Sequence, residues 1–166
     1  DDPREVAVQL FTSGTTGKPK AAILRHENLS SYIFGTIEFA CAEEDDAILV
    51  TVPPYHIAGI SAVLSSTYAC RRMVQLDGFE AGSWLAACRS EKVSNAFLVP
   101  TMLQRIVDHL AEHHEAAGMP ALRALAYGGG KMPLATIQQA MELFPGVDFT
   151  NAYGLTETSS TIAVLT

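Results

Sequence analysis

Short apolar runs alternate with longer segments of helical spacing along most of the chain. Two strands, 6–11 and 21–24, flank a polar, glycine-rich segment and predict a β-hairpin with a long loop. Five more strands are predicted at 47–52, 72–76, 93–99, 122–126 and 148–151. Five helices are predicted between them, at 28–39, 58–68, 84–89, 101–115 and 133–144. This alternation predicts an α/β fold with a mostly parallel sheet flanked by helices.

Three helices carry recognisable amino-terminal signals. Asn28 is a favourable N-cap residue. Thr101 and Gln104 have the spacing of a capping box. Pro133 suits the first turn of a helix. These signals set the expected starts of the first, fourth and fifth helices.

Residues suited to chemistry follow three of the predicted strands. They are Tyr55 and His56, the glycines 128–130, and the segment 153–157. In open parallel sheets, ligands bind beyond the carboxyl ends of the strands. We therefore expect these three groups to meet at one edge of the sheet.

Composition narrows the class of protein. The 166 residues carry a net charge of −7, which argues against a nucleic-acid or anionic-membrane surface. A site for a polyanion such as ATP would then depend on local donors and a metal ion. The chain has three cysteines, and their spacing is not that of a metal site. No signal-peptide pattern is visible in the given sequence, and no apolar run approaches the roughly 20 residues of a membrane span. A cytoplasmic protein with reduced thiols is expected.

The segment 12–20 has the chemistry of a phosphate-binding loop. Glycine lets backbone N–H groups approach phosphate oxygens, while hydroxyls add donors and lysines add charge. The candidate ligand-binding residues are Thr12, Ser13, Gly14, Thr15, Thr16, Gly17, Lys18 and Lys20. A Walker loop is excluded, because only two residues separate the glycines and Pro19 stands where a hydroxyl is needed. The alternative interpretation of this segment is a flexible surface hairpin that binds no phosphate.

The segment 151–157 combines the groups that a nucleotide needs. Asn151 can donate to and accept from an adenine edge, and Tyr153 can stack on a base. Gly154 permits a turn, Thr156 can donate to a phosphate oxygen, and Glu157 is a hard oxygen ligand for Mg²⁺. An ordinary polar turn after a strand is the alternative interpretation.

Segments 12–20 and 153–157 resemble the two signatures of the adenylate-forming superfamily, the second being Y-G-x-T-E. The resemblance implies an ATP site, with the loop on the β- and γ-phosphates. It also implies that Tyr153 flanks adenine, Asn151 meets its amino edge, Thr156 contacts the α-phosphate and Glu157 binds magnesium. Gly128, Gly129 and Gly130 resemble the G-G-A turn of the family, whose backbone runs along adenine and the acyl pocket. Gly130 replaces an alanine, which we expect to widen that pocket.

The segment 53–60 resembles a third element, in which an aromatic residue or histidine lines the acyl and pantetheine channel. His56 is therefore included among the candidate catalytic residues, although a plain structural role is the alternative. Amino-acid-activating relatives carry an acid here, and acyl-AMP ligases that serve carrier proteins carry His-Asp. Ile57 replaces that acid, and His56 to Gly59 resembles acyl- or aryl-CoA ligases.

The resemblance implies a two-step ligase that forms an acyl-adenylate from ATP and then transfers the acyl group to coenzyme A. A fatty acid is the expected substrate. The alternatives are delivery to a carrier protein, a non-catalytic ATP- or AMP-binding module, or a structural domain. Both ends read as cuts within a longer large domain, with a hairpin at 1–27 and an α/β subdomain at 28–166. We expect the piece alone to have little or no ligase activity and to expose apolar surface that favours self-association.

The segment 109–113 spells H-x-x-E-H, the spacing of an inverted zinc-protease motif. Both histidines would lie on one side of a helix, so metal binding is geometrically possible. No further ligand-bearing helix follows, and the neighbouring residues are polar. A solvated helix end is the preferred interpretation.

Overall fold

The computed structural model describes residues 2–12 and 20–165. It opens with two antiparallel strands, β1 (Val6–Thr12) and β2 (Lys20–Arg25), which form a sheet of their own. Leu10 and Leu24 are buried on one face of this hairpin, and they pack with Leu29. The predicted hairpin is present, and its apolar face anchors it to the rest of the fold.

Six strands form the main sheet, in the order β4-β3-β5-β6-β7-β8. Their bounds are β3 (Ala47–Val50), β4 (Arg72–Gln75), β5 (Asn95–Leu98), β6 (Ala124–Gly128), β7 (Asp148–Leu155) and β8 (Ser160–Leu165). All neighbouring pairs are parallel except β7 with β8. The mostly parallel sheet is as the sequence predicts.

Five helices connect and cover the strands. They are α1 (His26–Thr36), α2 (Ile57–Tyr68), α3 (Ala81–Ser90), α4 (Pro100–Glu112) and α5 (Leu134–Leu143). The main core joins α3, α4 and α5 to one face of the sheet, around Trp84, Leu103 and Leu125, which are fully buried. Helix α2 lies over the other face. None of the helices described in 2–12 and 20–165 is long and apolar enough to span a bilayer.

A buried polar network fixes the amino edge of the sheet. Asp46 precedes β3, and its carboxylate accepts a hydrogen bond from Ser94 Oγ at 2.8 Å and pairs with the Arg123 guanidinium. Ser94 Oγ also accepts from the Ala47 backbone N–H at 3.0 Å. The starts of three strands, β3, β5 and β6, are thereby tied together.

Several local predictions are wrong. Asn28 is the third residue of α1 rather than its N-cap, and its Oδ1 accepts from the Arg25 N–H at 2.8 Å. Thr101 lies inside α4, which starts at Pro100, so the predicted capping box is absent. Strand β8 was not predicted, because its residues 160–165 read as the end of an apolar stretch without a partner. The predicted division of the chain at residue 27 stays a prediction.

Candidate active site

A cavity of about 920 Å³ lies over the face of the sheet that α2 covers. Its walls come from β1, α1, α2, β8 and one face of the sheet, from the amino ends to the carboxyl ends of its strands. Residues from four of the five candidate segments line it, namely Thr12, His56, Gly129, Gly154, Thr156 and Glu157. The segments that resemble family signatures thus meet at one cavity.

The hairpin and the end of β7 are direct neighbours. Strand β2 contacts the short 3₁₀ turn Thr156–Thr158 that follows β7. Thr12 and Lys20 are paired across the hairpin, and Thr12 lines the cavity. The predicted phosphate-binding residues Ser13, Gly14, Thr15, Thr16, Gly17 and Lys18 lie outside the described residues. Thr12, at the described base of the hairpin, therefore lines the same cavity as Thr156 and Glu157.

The turn that carries Thr156 and Glu157 is held by a neighbouring hydroxyl. Thr158 Oγ1 accepts from the Leu155 N–H at 3.0 Å and lies 3.0 Å from the Ser160 carbonyl oxygen. Ser159 closes the turn in the left-handed conformation, with φ of 59°, and its N–H donates to the Thr156 carbonyl. Sequence reasoning missed Thr158, although a hydroxyl beside a turn is the usual signal for such a side-chain bond.

Gly154 allows β8 to cross directly over the end of β7. A methyl group on Gly154 would lie 2.6 Å from the Ser160 carbonyl carbon and 2.9 Å from Thr161 Cα. Such separations are far below the carbon contact distance of about 3.5–4.0 Å. The glycine of the Y-G-x-T-E segment is thus required by packing, whatever it does for a ligand.

Thr156 and Glu157 have side chains available for a ligand. Neither side chain makes a hydrogen bond or ion pair with another described residue, and Glu157 is exposed at the cavity. The described residues contain no cluster of three or more acidic, histidine or cysteine ligands. One free carboxylate suits Mg²⁺, because that ion keeps most of its waters and binds through one or two carboxylates plus substrate phosphates. The donor set therefore fits magnesium.

His56 lines the cavity, is exposed, and directly precedes α2. Its backbone N–H donates to the Pro53 carbonyl at 3.0 Å, and its ring centroid lies 4.8 Å from that of Tyr55. Three residues later, a methyl on Gly59 would lie 2.8 Å from the Pro53 carbonyl carbon. The His-x-x-Gly spacing therefore has a packing reason, since only glycine lets α2 approach the turn that positions His56.

Asn151 and Tyr153 lie on the other face of β7. Side chains alternate along a strand, and Thr150, Ala152 and Gly154 occupy the cavity face. Tyr153 is 60% exposed. The backbone of Asn151 is paired with Tyr127, next to Gly128, so both side chains remain near the glycine turn at the carboxyl edge. Their assignment to adenine stays a prediction.

The three glycines at 128–130 differ in their position relative to the cavity. Gly129 lines the cavity, whereas Gly128 is buried between strands and Gly130 is exposed and outside the cavity wall. A methyl on Gly130 would make an ordinary contact, 3.7 Å from Pro100 Cγ. The absent methyl therefore borders Pro100 rather than the cavity, and the expected widening of the pocket finds no support in this placement.

The H-x-x-E-H segment, 109–113, lies at the carboxyl end of α4, and His113 is the C-cap residue of that helix. The rings of His109 and His113 stack with centroids 4.1 Å apart, and His113 Nδ1 lies 2.8 Å from the His109 carbonyl oxygen. Stacked rings do not converge on a common point as metal ligands must. Their arrangement is that of an aromatic pair on the helix surface.

Much of the cavity wall was missed by sequence reasoning. Helix α2 contributes Ala58, Ser61 and Ala62, and the sheet contributes small residues at alternate positions such as Ala124 and Ala126. Small residues with a period of two are the available signal. They leave space above the sheet that larger side chains would fill.

A family profile described as "AMP-binding enzyme" matches residues 1–166. The chain is 31% identical over 167 aligned positions to a 2-succinylbenzoate–CoA ligase of Bacillus pumilus, covering 99% of this chain and 32% of that protein. It is 32% identical over 162 positions to a feruloyl-CoA synthase of an Amycolatopsis species, covering 97% of this chain and 32% of that protein. The chain thus spans about a third of the length of these relatives.

A solved structure has the same fold. It is an O-succinylbenzoate coenzyme A synthetase of Bacillus subtilis in complex with ATP and a magnesium ion, with a TM-score of 0.82 and 27% identity. The match covers 99% of this chain and 33% of that one. The named relatives act on acids other than fatty acids, so the expectation of a fatty-acid substrate is not supported by them.

Proposed function

The chain belongs to the AMP-binding enzyme family, and on that premise we propose that it forms the nucleotide- and acid-binding part of an AMP-forming acid–CoA ligase. The observation that carries the proposal is the convergence of Thr12, His56, Thr156 and Glu157 on one cavity. Relatives named as CoA ligases support it. Because the chain spans about a third of the length of these relatives, we propose the activity for a full-length protein rather than for this chain alone.

In the first half-reaction, a carboxylate oxygen of the acid bonds to the α-phosphorus of ATP while the bond to pyrophosphate breaks. Two anions approach each other, so positioning and charge neutralisation dominate. We assign Thr156 Oγ1 as a donor to an α-phosphate oxygen and Glu157 as the carboxylate that would hold Mg²⁺. Magnesium would supply positive charge to the phosphate oxygens.

In the second half-reaction, a thiol sulfur bonds to the acyl carbon, and the bond from that carbon to the AMP oxygen breaks. We assign His56 to the wall of the channel through which the thiol arrives, since it lines the cavity and is exposed to solvent. Coenzyme A is preferred over a carrier protein as the acceptor, because Ile57 stands where an acid would be and because the relatives are named as CoA ligases.

The assay for the nucleotide site is calorimetric titration of the chain with an acyl-adenosine sulfamoyl ester, with and without Mg²⁺. Wild type and the two variants described next are also compared, as full-length proteins, by ATP–pyrophosphate exchange. Glu157→Gln keeps the shape of the side chain and removes its charge, so we expect the benefit of Mg²⁺ and most of the exchange to be lost. Glu142→Gln is the matched control, because Glu142 is exposed on α5 and outside the cavity.

Two outcomes would contradict the proposal. Equal Mg²⁺ dependence in wild type and Glu157→Gln would remove Glu157 from the site. Binding of the ester by a full-length protein that exchanges no pyrophosphate with any acid would favour a non-catalytic binding module.

A further inference from the structure

Two of the three cysteines are exposed, and the backbone brings them side by side. Cys41 lies in the connection between α1 and β3, and Cys70 follows the C-cap residue of α2. The backbone N–H groups of Ala40 and Ala42 donate to the carbonyl oxygens of residues 68–69, each at 3.0 Å. The connection is therefore tied to the end of α2 on both sides of Cys41.

The second of these hydrogen bonds limits the separation of the two cysteines. The Cα atom of Cys41 belongs to the same planar peptide unit as the Ala42 N–H, and that of Cys70 to the same unit as the Ala69 carbonyl. Because peptide units have fixed dimensions, a 3.0 Å hydrogen bond between these two units leaves about 4–7 Å between the two Cα atoms. Disulfides join Cα atoms that are usually about 4.4–6.8 Å apart. The backbone thus holds Cys41 and Cys70 within the separation that a disulfide needs.

Cys70 occupies a backbone position that usually belongs to glycine. Its φ of 58° lies in the left-handed region. Its N–H donates to the Thr67 carbonyl at 3.2 Å, and the Arg71 N–H donates to the Ser66 carbonyl at 2.8 Å. These two bonds form a Schellman motif, in which glycine is preferred at the left-handed position because a Cβ atom adds strain there. The cysteine side chain therefore stands where helix termination alone would favour glycine.

The third cysteine does not compete with this pair. Cys88 is only 1% exposed in the main core, and burial raises the pKa of its thiol to about 12. Thiolates rather than thiols attack disulfides, so Cys88 is protected in the native fold. No third metal-ligating side chain joins Cys41 and Cys70 in the part of the chain that the structure describes. The chemistry that suits the pair is thiol–disulfide exchange.

We propose that Cys41 and Cys70 form a redox-sensitive dithiol site, which closes to a disulfide on reaction with a small disulfide such as oxidised glutathione. The thiolate of one cysteine attacks a sulfur of the small disulfide, which leaves a mixed disulfide and releases one small thiol. The thiolate of the other cysteine then attacks the protein sulfur of the mixed disulfide and releases the second small thiol. Two protein thiols are oxidised, and their two electrons and two protons end on the two small thiols.

Closure joins the connection after α1 covalently to the end of α2. Helix α2 has 12 residues and is therefore about 18 Å long, at about 1.5 Å per residue, and His56 lies at its opposite end. Neither Cys41 nor Cys70 lines the cavity. The disulfide acts as a reversible staple between the two helices, and its formation does not depend on the proposed ligase function.

The experiment treats the reduced full-length protein with oxidised glutathione and maps the products by mass spectrometry. Digestion with trypsin and a glutamate-specific protease separates the cysteines, since Cys41 lies in the peptide 39–43 and Cys70 in the peptide 45–71. We expect these peptides to be linked directly and to exceed glutathione adducts on either cysteine by at least about tenfold, because the neighbouring thiol attacks at a high effective concentration. Dithiothreitol should restore both thiols.

Two variants distinguish a disulfide from simple exposure of two thiols. Cys70→Gly removes one thiol and suits the left-handed backbone, so it should fold and should accumulate the glutathione adduct on Cys41. Cys41→Ser is the reciprocal variant and should accumulate the adduct on Cys70. Each adduct should exceed its wild-type level by at least about tenfold. Stable adducts on both cysteines of the wild type, or two cysteines left unreacted, overturn the proposal.

Hydrogen exchange measures the staple directly. A disulfide restricts local opening of the segment that it closes. Exchange in the peptide that contains the Ala40 and Ala42 amides should therefore slow by about tenfold or more when the wild type is oxidised, and it should not change in Cys70→Gly. Equal exchange in oxidised and reduced wild type, with the linked peptides present, overturns the role as a staple.

Discussion

Replacing Gly154 with alanine tests whether the crossing of β8 over β7 positions the turn at the active site. The added methyl would lie 2.6 Å from the Ser160 carbonyl carbon. Carbon atoms in contact are normally about 3.5–4.0 Å apart, so the start of β8 must retreat by about 1 Å. The Ser160 carbonyl oxygen lies 3.0 Å from Thr158 Oγ1, and the retreat therefore disturbs the turn that carries Thr156 and Glu157.

Two quantities should change. Overpacking of this kind costs about 1–3 kcal/mol of unfolding free energy. A displacement of about 1 Å at reacting groups costs about 100-fold in rate. Stability is measured by urea unfolding of the chain with Trp84 fluorescence, since Trp84 is the single tryptophan and is fully buried. Activity is measured by ATP–pyrophosphate exchange in the full-length protein.

Gly35→Ala is the control, because it makes the same chemical change in helix α1, where a methyl would meet nothing within 4 Å. Alanine in a helix is favoured over glycine by about 0.5–1 kcal/mol, so this variant should be as stable as wild type or more stable. If Gly154→Ala unfolds at the same urea concentration as wild type and exchanges at the same rate, the argument from the crossing of β8 is wrong.

Three further predictions concern stability and reactivity. Burial raises the pKa of the Cys88 thiol to about 12, so Ellman's reagent should modify the two exposed cysteines in the native chain and reach Cys88 only on unfolding; three fast thiols would contradict this. Hydrogen bonds, led by the one from the Ser83 backbone N–H, lower the pKa of Glu80 from its ordinary 4.5 to about 2. The ionised Glu80 carboxylate therefore stabilises the fold fully above about pH 4.5, and this stabilisation is lost as the pH falls toward 2. Thermal melts should therefore show Glu80→Gln below wild type at pH 7 and converging with it near pH 2, whereas a constant gap would refute the linkage. Asp46→Ala should lower the unfolding free energy by about 1–3 kcal/mol, because the buried Ser94 hydroxyl loses its acceptor and Arg123 loses its ion-pair partner. Asp45→Ala, at an exposed position, should change it little, and equal effects in urea melts would refute the role of the network.

The order and type of elements were largely predictable, because periodicity is local. The core positions of α4, such as Leu103, Ile106 and Leu110, follow a helical spacing that is visible in the sequence, and all are buried. The ends were less predictable. Thr101 looks like a cap, but the helix begins one residue earlier at Pro100, whose fixed φ suits the first turn.

The candidate site was predictable only in part. Thr156 and Glu157 are recognisable by residue type, and both line the cavity. Thr158, which holds their turn, makes bonds that depend on the approach of Ser160 from β8. Because β8 was not predicted, that role was invisible in the sequence.

By itself, the sequence determined the alternation of strands and helices, the parallel sheet and the residues that resemble a nucleotide site, since each depends on neighbours a few positions apart. Only the tertiary structure decided which side chains share a space. The pleat of β7 places Gly154 at the cavity and Tyr153 on the opposite face, and the return of the chain after α2 brings Arg71 to the same cavity wall as Ser61. Strand pairing and helix packing join residues that are distant along the chain, and no local pattern records those contacts.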